Sequence, residues 1–263
     1  MTNDRLSKLR SFRYEGDTSS SSSSSKITKP PLRTKKNAPA KPHHHLPDLR
    51  QSLNAHLRVL FIGFNPGVES SVQQHHYAHH SNLFWKLFNQ SGLLRKVVDV
   101  EGVDVGSDEL LRKLLADGCS ASNDFELIEY NVGFTDLVLR CTARADQLSN
   151  EEKLQNVPRL LKEFKESDAQ NIVVIGKGIW EVIVKYLSKD LDVKVKLNKE
   201  NFTWGLQSTE GSDENYNLVV DSIYKQLSKS TKLYVFPNTS GLVASMTFAE
   251  KLSLWTKLVD GIH

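Results

Sequence analysis

The chain of 263 residues is 39% apolar and 25% charged, with a formal net charge of +3, a balance typical of one globular domain with a tail. No stretch approaches the ~18 consecutive apolar residues of a transmembrane helix, and the charged N-terminus lacks the apolar core of a secretory signal. Cys119 and Cys141 form no Cys-x-x-Cys motif, so we expect two free thiols in an intracellular protein with no membrane partner.

The basic character of the chain is concentrated at its start. Residues 1–50 carry a net charge of +7, which leaves −4 for residues 51–263. Segment 1–45 has a serine run and a Lys-Arg-Pro cluster but few apolar residues, so we expect a disordered tail before a folded domain over 46–263. Such a tail binds polyanions, acts as a nuclear address or only aids solubility.

The first predicted strand is the apolar run 59–62, which ends in Gly63-Phe64-Asn65-Pro66-Gly67. Turn-forming residues directly after a buried run indicate a strand that breaks into a loop, and open α/β sheets bind ligands at such strand ends. Pro66 restricts the backbone beside Asn65, whose side chain would stand at the strand tip. An ordinary Asn-Pro-Gly β-turn would account for the same residues.

Further along the chain, a polar loop is expected over 68–77. Apolar periodicity and capping residues predict five helices, over 81–88, 108–116, 149–165, 179–187 and 248–259. Ser81 is the predicted cap of the first, Pro158 marks a kink or the true first turn of the third, and the aromatic stripe Phe84, Trp85 and Phe88 should be core.

Three more strands are predicted over 125–130, 171–176 and 232–236. Strands separated by helices imply a mainly parallel sheet with right-handed crossovers and helices on both faces, an α/β fold of three layers. Loops 63–67, 133–136 and 238–243 would then meet at one rim of the sheet.

Several common motifs are absent or incomplete. Gly176-Lys177-Gly178 is followed by Trp180, where a dinucleotide fingerprint needs space for a third glycine, and no Walker A, Gly-x-Ser-x-Gly or His-Glu-x-x-His sequence occurs. The histidine-rich stretch 75–80 has no carboxylate or thiolate at ligand spacing nearby, so we expect no metal.

Taken together, several blocks of the sequence resemble the mismatch-specific uracil/thymine DNA glycosylase family, over about residues 56–260. Gly63-Phe64-Asn65-Pro66-Gly67 is similar to the family's Gly-Ile-Asn-Pro-Gly. The other similar blocks are 75–77 with 82–86, 133–138, 204–207 and 237–242.

The resemblance implies a three-layer α/β/α sandwich and a nuclear, monomeric hydrolase of base excision repair that uses no metal or cofactor. Its partner would be double-stranded DNA with G:U or G:T mispairs, from which it removes uracil, thymine or other damaged pyrimidines. Base flipping is then required, because a stacked base is unreachable.

The resemblance also assigns roles to individual residues. Asn65 would position the attacking water. The base-binding set would be Gly63, Phe64, Ser70, His76, Tyr77, Asn82 and Asp136. The wedge loop that enters the DNA and contacts the partner strand would comprise Asn238, Ser240, Gly241, Leu242 and Val243. Ala244 replaces an arginine that often follows the wedge.

The chemistry of Asn65 limits the mechanism. An amide cannot accept a proton near neutral pH, so the rate would depend on how well the departing base carries negative charge. Asp136 is either the missing general base or, as we prefer, a residue that shapes the pocket. Two other classes of function remain open: a non-catalytic nucleic-acid-binding module and a nucleotide-binding α/β enzyme.

Overall fold

The computed structural model describes residues 46–241 and 246–263, which contain a five-stranded sheet at their centre. The strands are β1 (Val59–Gly63), β2 (Val132–Asp136), β3 (Asn171–Ile175), β4 (Gly205–Leu206) and β5 (Lys232–Phe236). They are arranged in the order β2-β1-β3-β5-β4, with only the edge strand β4 antiparallel. The predicted α/β class with a mainly parallel sheet is therefore confirmed.

Alternating side chains of β1 supply two separate cores. Leu60 and Ile62 pack on one face of the sheet, Val59 and Phe61 on the other, and all four are fully buried. Successive residues of a strand point to opposite faces, so a strand buried on both sides needs a helical layer on each side. The three-layer prediction is thus confirmed.

Apart from the short first helix, the helices of the described residues divide between these two layers. They are α1 (Val68–Gln73), α2 (Phe84–Gln90), α3 (Leu93–Glu101), α4 (Glu109–Asp117), α5 (Asn150–Ser167), α6 (Lys177–Asp190), α7 (Glu214–Tyr224) and α8 (Phe248–Asp260). Helices α5, α6 and α7 cover the face with Leu60, whereas α2, α3, α4 and α8 cover the face with Phe61. The aromatic stripe on α2 is buried in the second core, as predicted.

The predicted strand at 125–130 is wrong. This segment contains a 3-10 helix over Leu127–Tyr130 that ends at Asn131 in the left-handed conformation, and the strand follows at Val132–Asp136. The spacing of Leu127 and Tyr130, both buried, fits one 3-10 turn as well as a loosely alternating strand. Segment 133–136 is consequently the strand itself and not a loop.

Gly133 explains why β2 was mistaken for a turn. A Cβ at this position would lie 2.5 Å from the Leu57 side chain and 2.8 Å from the Ser52 carbonyl oxygen. The glycine therefore permits another part of the backbone to pack closely on a strand interior, where Ser52 also bridges to Phe134.

Other boundaries differ as well. Residues 68–73, predicted as a polar loop, form α1, and Ser81 does not cap α2, which begins at Phe84. Helix α5 starts at Asn150 after the Ser149 cap and runs through Pro158, so Pro158 is not in its first turn. Helices α3 and α7 and the two-residue strand β4 were not predicted.

Two further sequence predictions concern the N-terminal tail and the absence of a transmembrane helix. The prediction of a disordered basic tail at 1–45 concerns residues outside the described ranges. Across 46–241 and 246–263, no helix combines the length and the apolar character needed to cross a bilayer.

Candidate functional site

A cavity of about 660 Å³ opens at the carboxyl edge of the parallel sheet. It lies at a topological switch point, because the chain after β1 continues to helices on one face of the sheet whereas β3 continues into α6 on the other. Its walls include Gly63 at the end of β1, Asp136 at the end of β2 and Ile175 at the end of β3. The loop after β5 closes another side.

Every predicted site residue in the described part of the chain lines this one cavity. These residues are Gly63, Phe64, Asn65, Ser70, His76, Tyr77, Asn82, Asp136, Asn238, Ser240 and Gly241. Leu242 and Val243 lie outside the described residues. The strand ends thus bring together side chains that are more than 170 positions apart in the sequence.

The side-chain amide of Asn65 is held in one orientation. Its Nδ2 lies 2.8 Å from Thr142 Oγ1, 3.1 Å from the Arg140 carbonyl and 3.2 Å from the Pro66 carbonyl. The Thr142 hydroxyl donates a hydrogen bond to the Arg144 carbonyl at 2.9 Å, so Thr142 Oγ1 acts as an acceptor toward Nδ2, as the two carbonyls do. No described residue donates to Asn65 Oδ1, which is left to accept a hydrogen bond from water or a ligand.

Thr142 is a site residue that the sequence did not reveal. Besides accepting from Asn65, it donates its backbone N–H to the Pro66 carbonyl at 3.1 Å, and it lines the cavity. It follows Asn65 by 77 positions in an irregular segment. No periodicity or motif marks such a residue, so only the folded arrangement identifies it.

Tyr77 combines a stacked ring with an unpartnered hydroxyl. The ring lies parallel to Phe84 with centroids 3.9 Å apart, and the backbone is left-handed, with φ of 54°. Its buried Oη has no hydrogen-bond partner within the described ranges. Burial, with the charge of Asp136 adding to it, raises the pKa of Tyr77 well above its ordinary value, so the hydroxyl remains a donor.

Two histidines of the sequence cluster share one buried carboxylate. His75 Nδ1 and His76 Nδ1 each lie 2.7 Å from a different oxygen of Asp124, which is fully buried. Burial opposes ionisation, but the hydrogen bonds from His76 and His75 outweigh it and hold the pKa of Asp124 below its ordinary value. An ionised carboxylate only accepts, so both rings carry a proton on Nδ1.

This arrangement orients His76 in the cavity wall. With Nδ1 committed to Asp124, its other ring nitrogen is left for contacts elsewhere. No sequence pattern predicts this pairing, because Asp124 lies 48 positions beyond His76.

Asp136 presents a nearly buried carboxyl to the cavity. It stands opposite Gly63 in the sheet register, and a Cβ at Gly63 would lie only 2.0 Å from its Oδ1. Burial raises the pKa of Asp136 to about 6; the charges of His76 and Arg159 oppose this rise and that of Glu163 adds to it. Arg159 bonds the backbone carbonyl of Asp136 rather than the carboxyl group.

The loop after β5 is anchored from beneath by a buried lysine. Lys251 of α8 is 1% exposed and donates from Nζ to the Asn238 carbonyl at 2.8 Å. Burial lowers the pKa of Lys251 from its ordinary value. The Thr239 carbonyl also accepts from the Leu83 N–H at 2.8 Å, so two contacts fix the start of the loop.

Comparisons with known proteins place this chain beside DNA glycosylases. The sequence model of the uracil DNA glycosylase superfamily matches residues 51–259. A curated protein of Schizosaccharomyces pombe, named G/U mismatch-specific uracil DNA glycosylase, is 27% identical over 206 residues, which cover 78% of this chain and 50% of the relative. The chain therefore spans about half the length of that relative.

Proposed function

The chain belongs to the uracil DNA glycosylase superfamily, and from this premise we propose that it hydrolyses the N-glycosidic bond of uracil mispaired with guanine in double-stranded DNA. The observation that carries the proposal is the fixed amide of Asn65, whose free Oδ1 borders the cavity. The name of the fission-yeast relative supports uracil opposite guanine as the substrate.

Access to the bond requires the nucleotide to leave the helix. Turning it out costs a few kcal/mol of stacking and pairing, and the cost is smallest at a mispair. A cavity of about 660 Å³ lies within the size range of small-molecule sites. Tyr77 and His76 in its wall are suited to contact the extruded base and sugar.

Asn65 would act by positioning a water molecule. Its Oδ1 accepts a hydrogen bond from the water and aims the oxygen at the sugar carbon that carries the base. Since the amide takes up no proton, the bond to the base must be largely broken before the water adds. The base departs as an anion, and donors in the wall such as the Tyr77 hydroxyl stabilise it. The added water then releases its extra proton to the solvent.

Leu242 would fill the space that the extruded nucleotide leaves. Apolar side chains at the tips of loops are used in this way by proteins that unstack DNA. The contacts of Asn238 with Lys251 and of Thr239 with Leu83 support the proposal, because an anchored loop can hold a wedge against the stack.

We expect Leu242→Ala to reduce uracil release from a G:U duplex by roughly tenfold or more, because the vacated stack is no longer filled. Release from single-stranded DNA should change little, since no stack has to be held open. Single-turnover rates on the two substrates measure the difference. Leu218→Ala, at an exposed leucine of α7, is the matched control, and equal losses on both substrates would contradict the wedge.

A panel of duplexes tests the function itself. Purified full-length protein should release uracil opposite guanine fastest and uracil opposite adenine more slowly, because the mispair opens more easily. Thymine opposite guanine should be released more slowly than uracil, since the methyl group must also fit the pocket. Binding to all duplexes without release of any base would instead identify a non-catalytic binding module.

A further inference from the structure

Two buried polar groups in the cavity wall have no partner within the described residues, and they converge on the same point. Asp136 lines the cavity, is 6% exposed and has no hydrogen-bond partner for its carboxyl among the described residues, and the buried Tyr77 Oη has no such partner either. A Cβ at Gly63 would lie 2.0 Å from Asp136 Oδ1 and 3.3 Å from Tyr77 Oη. Buried polar groups are normally paired, so unpaired ones beside a cavity point to a ligand that pairs them.

The groups around Asp136 do not neutralise its charge by contact. His76 bonds Asp124 through Nδ1, and Arg159 reaches only the backbone carbonyl of Asp136. Glu163, on α5, adds a second negative charge nearby, and Tyr77 is a neutral hydroxyl. Ionised Asp136 would therefore place an unpaired negative charge in the wall of the cavity.

The proposed reaction makes this charge unfavourable. Uracil leaves as an anion, and a carboxylate beside it in a poorly solvated pocket repels it. A protonated carboxyl acts in the opposite way, because it donates a hydrogen bond to a carbonyl oxygen of the base and accepts one from the ring N–H. The neutral carboxyl is therefore complementary to the edge of uracil that carries this carbonyl acceptor and this N–H donor.

We propose that Asp136 contacts the extruded base as a neutral carboxyl and that its hydrogen bond stabilises the departing uracil. Its ionised form slows excision. The proton stays on Asp136 throughout, so the residue stabilises charge and transfers nothing. The proposal rests on the glycosylase function and adds a residue whose protonation sets the rate.

The expected signature is a rate that falls as the pH rises. With a pKa of about 6, the protonated fraction drops about tenfold for each pH unit above this value. Single-turnover uracil release by the wild type should be constant below pH 6 and decline between pH 6 and 8. The neutral, isosteric variant Asp136→Asn should show no such decline and exceed the wild type about tenfold or more at pH 8.

A matched control separates this effect from net charge. Asp221→Asn removes one carboxylate on the exposed surface of α7 and should keep the wild-type profile. If Asp136→Asn also keeps that profile, the titration belongs to another group, and the inference is wrong. If the wild type excises no base at any pH, the proposed function fails instead.

Thermal unfolding provides a readout that needs no turnover. The raised pKa of Asp136 means that its neutral form stabilises the fold, fully below pH 4, and that this contribution is lost as the pH rises through about 6. The side chain introduced by Asp136→Asn cannot ionise, so the variant does not lose this stability. The Tm of Asp136→Asn minus that of the wild type should therefore increase by about 3 °C or more between pH 5 and 8. A difference that is the same at both pH values would overturn the inference.

Discussion

Asn65→Ala is expected to reduce single-turnover release of uracil from a G:U duplex by about 10²–10³-fold or more, with duplex affinity nearly unchanged. The reason is geometric. Thr142, Arg140 and Pro66 all accept from Nδ2, which leaves Oδ1 as the acceptor at the cavity. Alanine removes that acceptor and leaves the water without a defined position.

Single-turnover rates under excess enzyme and affinities for the same duplex distinguish a loss of uracil release from a loss of DNA binding. A matched control is Asn215→Ala, since Asn215 is exposed on α7 and its amide bonds only the distant Lys194 carbonyl. Its rate should equal that of the wild type. Turnover by Asn65→Ala at the wild-type rate would contradict the mechanism, whereas a parallel loss of affinity would indicate that Asn65 binds DNA rather than directs water.

Gly63→Ala should be nearly as damaging, for a different reason. The added Cβ would lie 2.0 Å from Asp136 Oδ1 and 3.3 Å from Tyr77 Oη, so the Asp136 carboxyl has to leave its position in the cavity wall. Overpacking of this kind costs about 1–3 kcal/mol of folding stability. Because the displaced groups line the cavity, uracil release should fall by about 10²-fold.

Gly67→Ala is the matched control for this substitution. Gly67 lies four positions further along, a Cβ there would meet nothing within 4 Å, and its φ of −78° suits any residue. Thermal unfolding and single-turnover release should both stay near the wild-type values. Equal behaviour of the two alanine variants would show that the close approach of Asp136 to β1 has no functional consequence.

Local patterns identified most of the framework. The apolar runs of β1, β3 and β5 and the capped helices α4, α5 and α8 were recognisable because their stabilising contacts are repeated at fixed short spacing. Prediction failed at β2, where Gly133 suggested a turn. The glycine is required there by the packing of Ser52 and Leu57, a contact with residues about 80 positions away.

The sequence by itself therefore determined the fold class, the strand that presents Asn65, and the family resemblance that the superfamily match supports. Only the tertiary structure decided how the site is held: which groups orient the Asn65 amide, which carboxylate pairs with His76, and that Asp136 is buried against Gly63. The physical reason is how far apart in the sequence the contacting residues lie. Helix and strand signals repeat within a few residues, whereas these contacts join residues 48 to 77 positions apart and leave no periodic trace in the sequence.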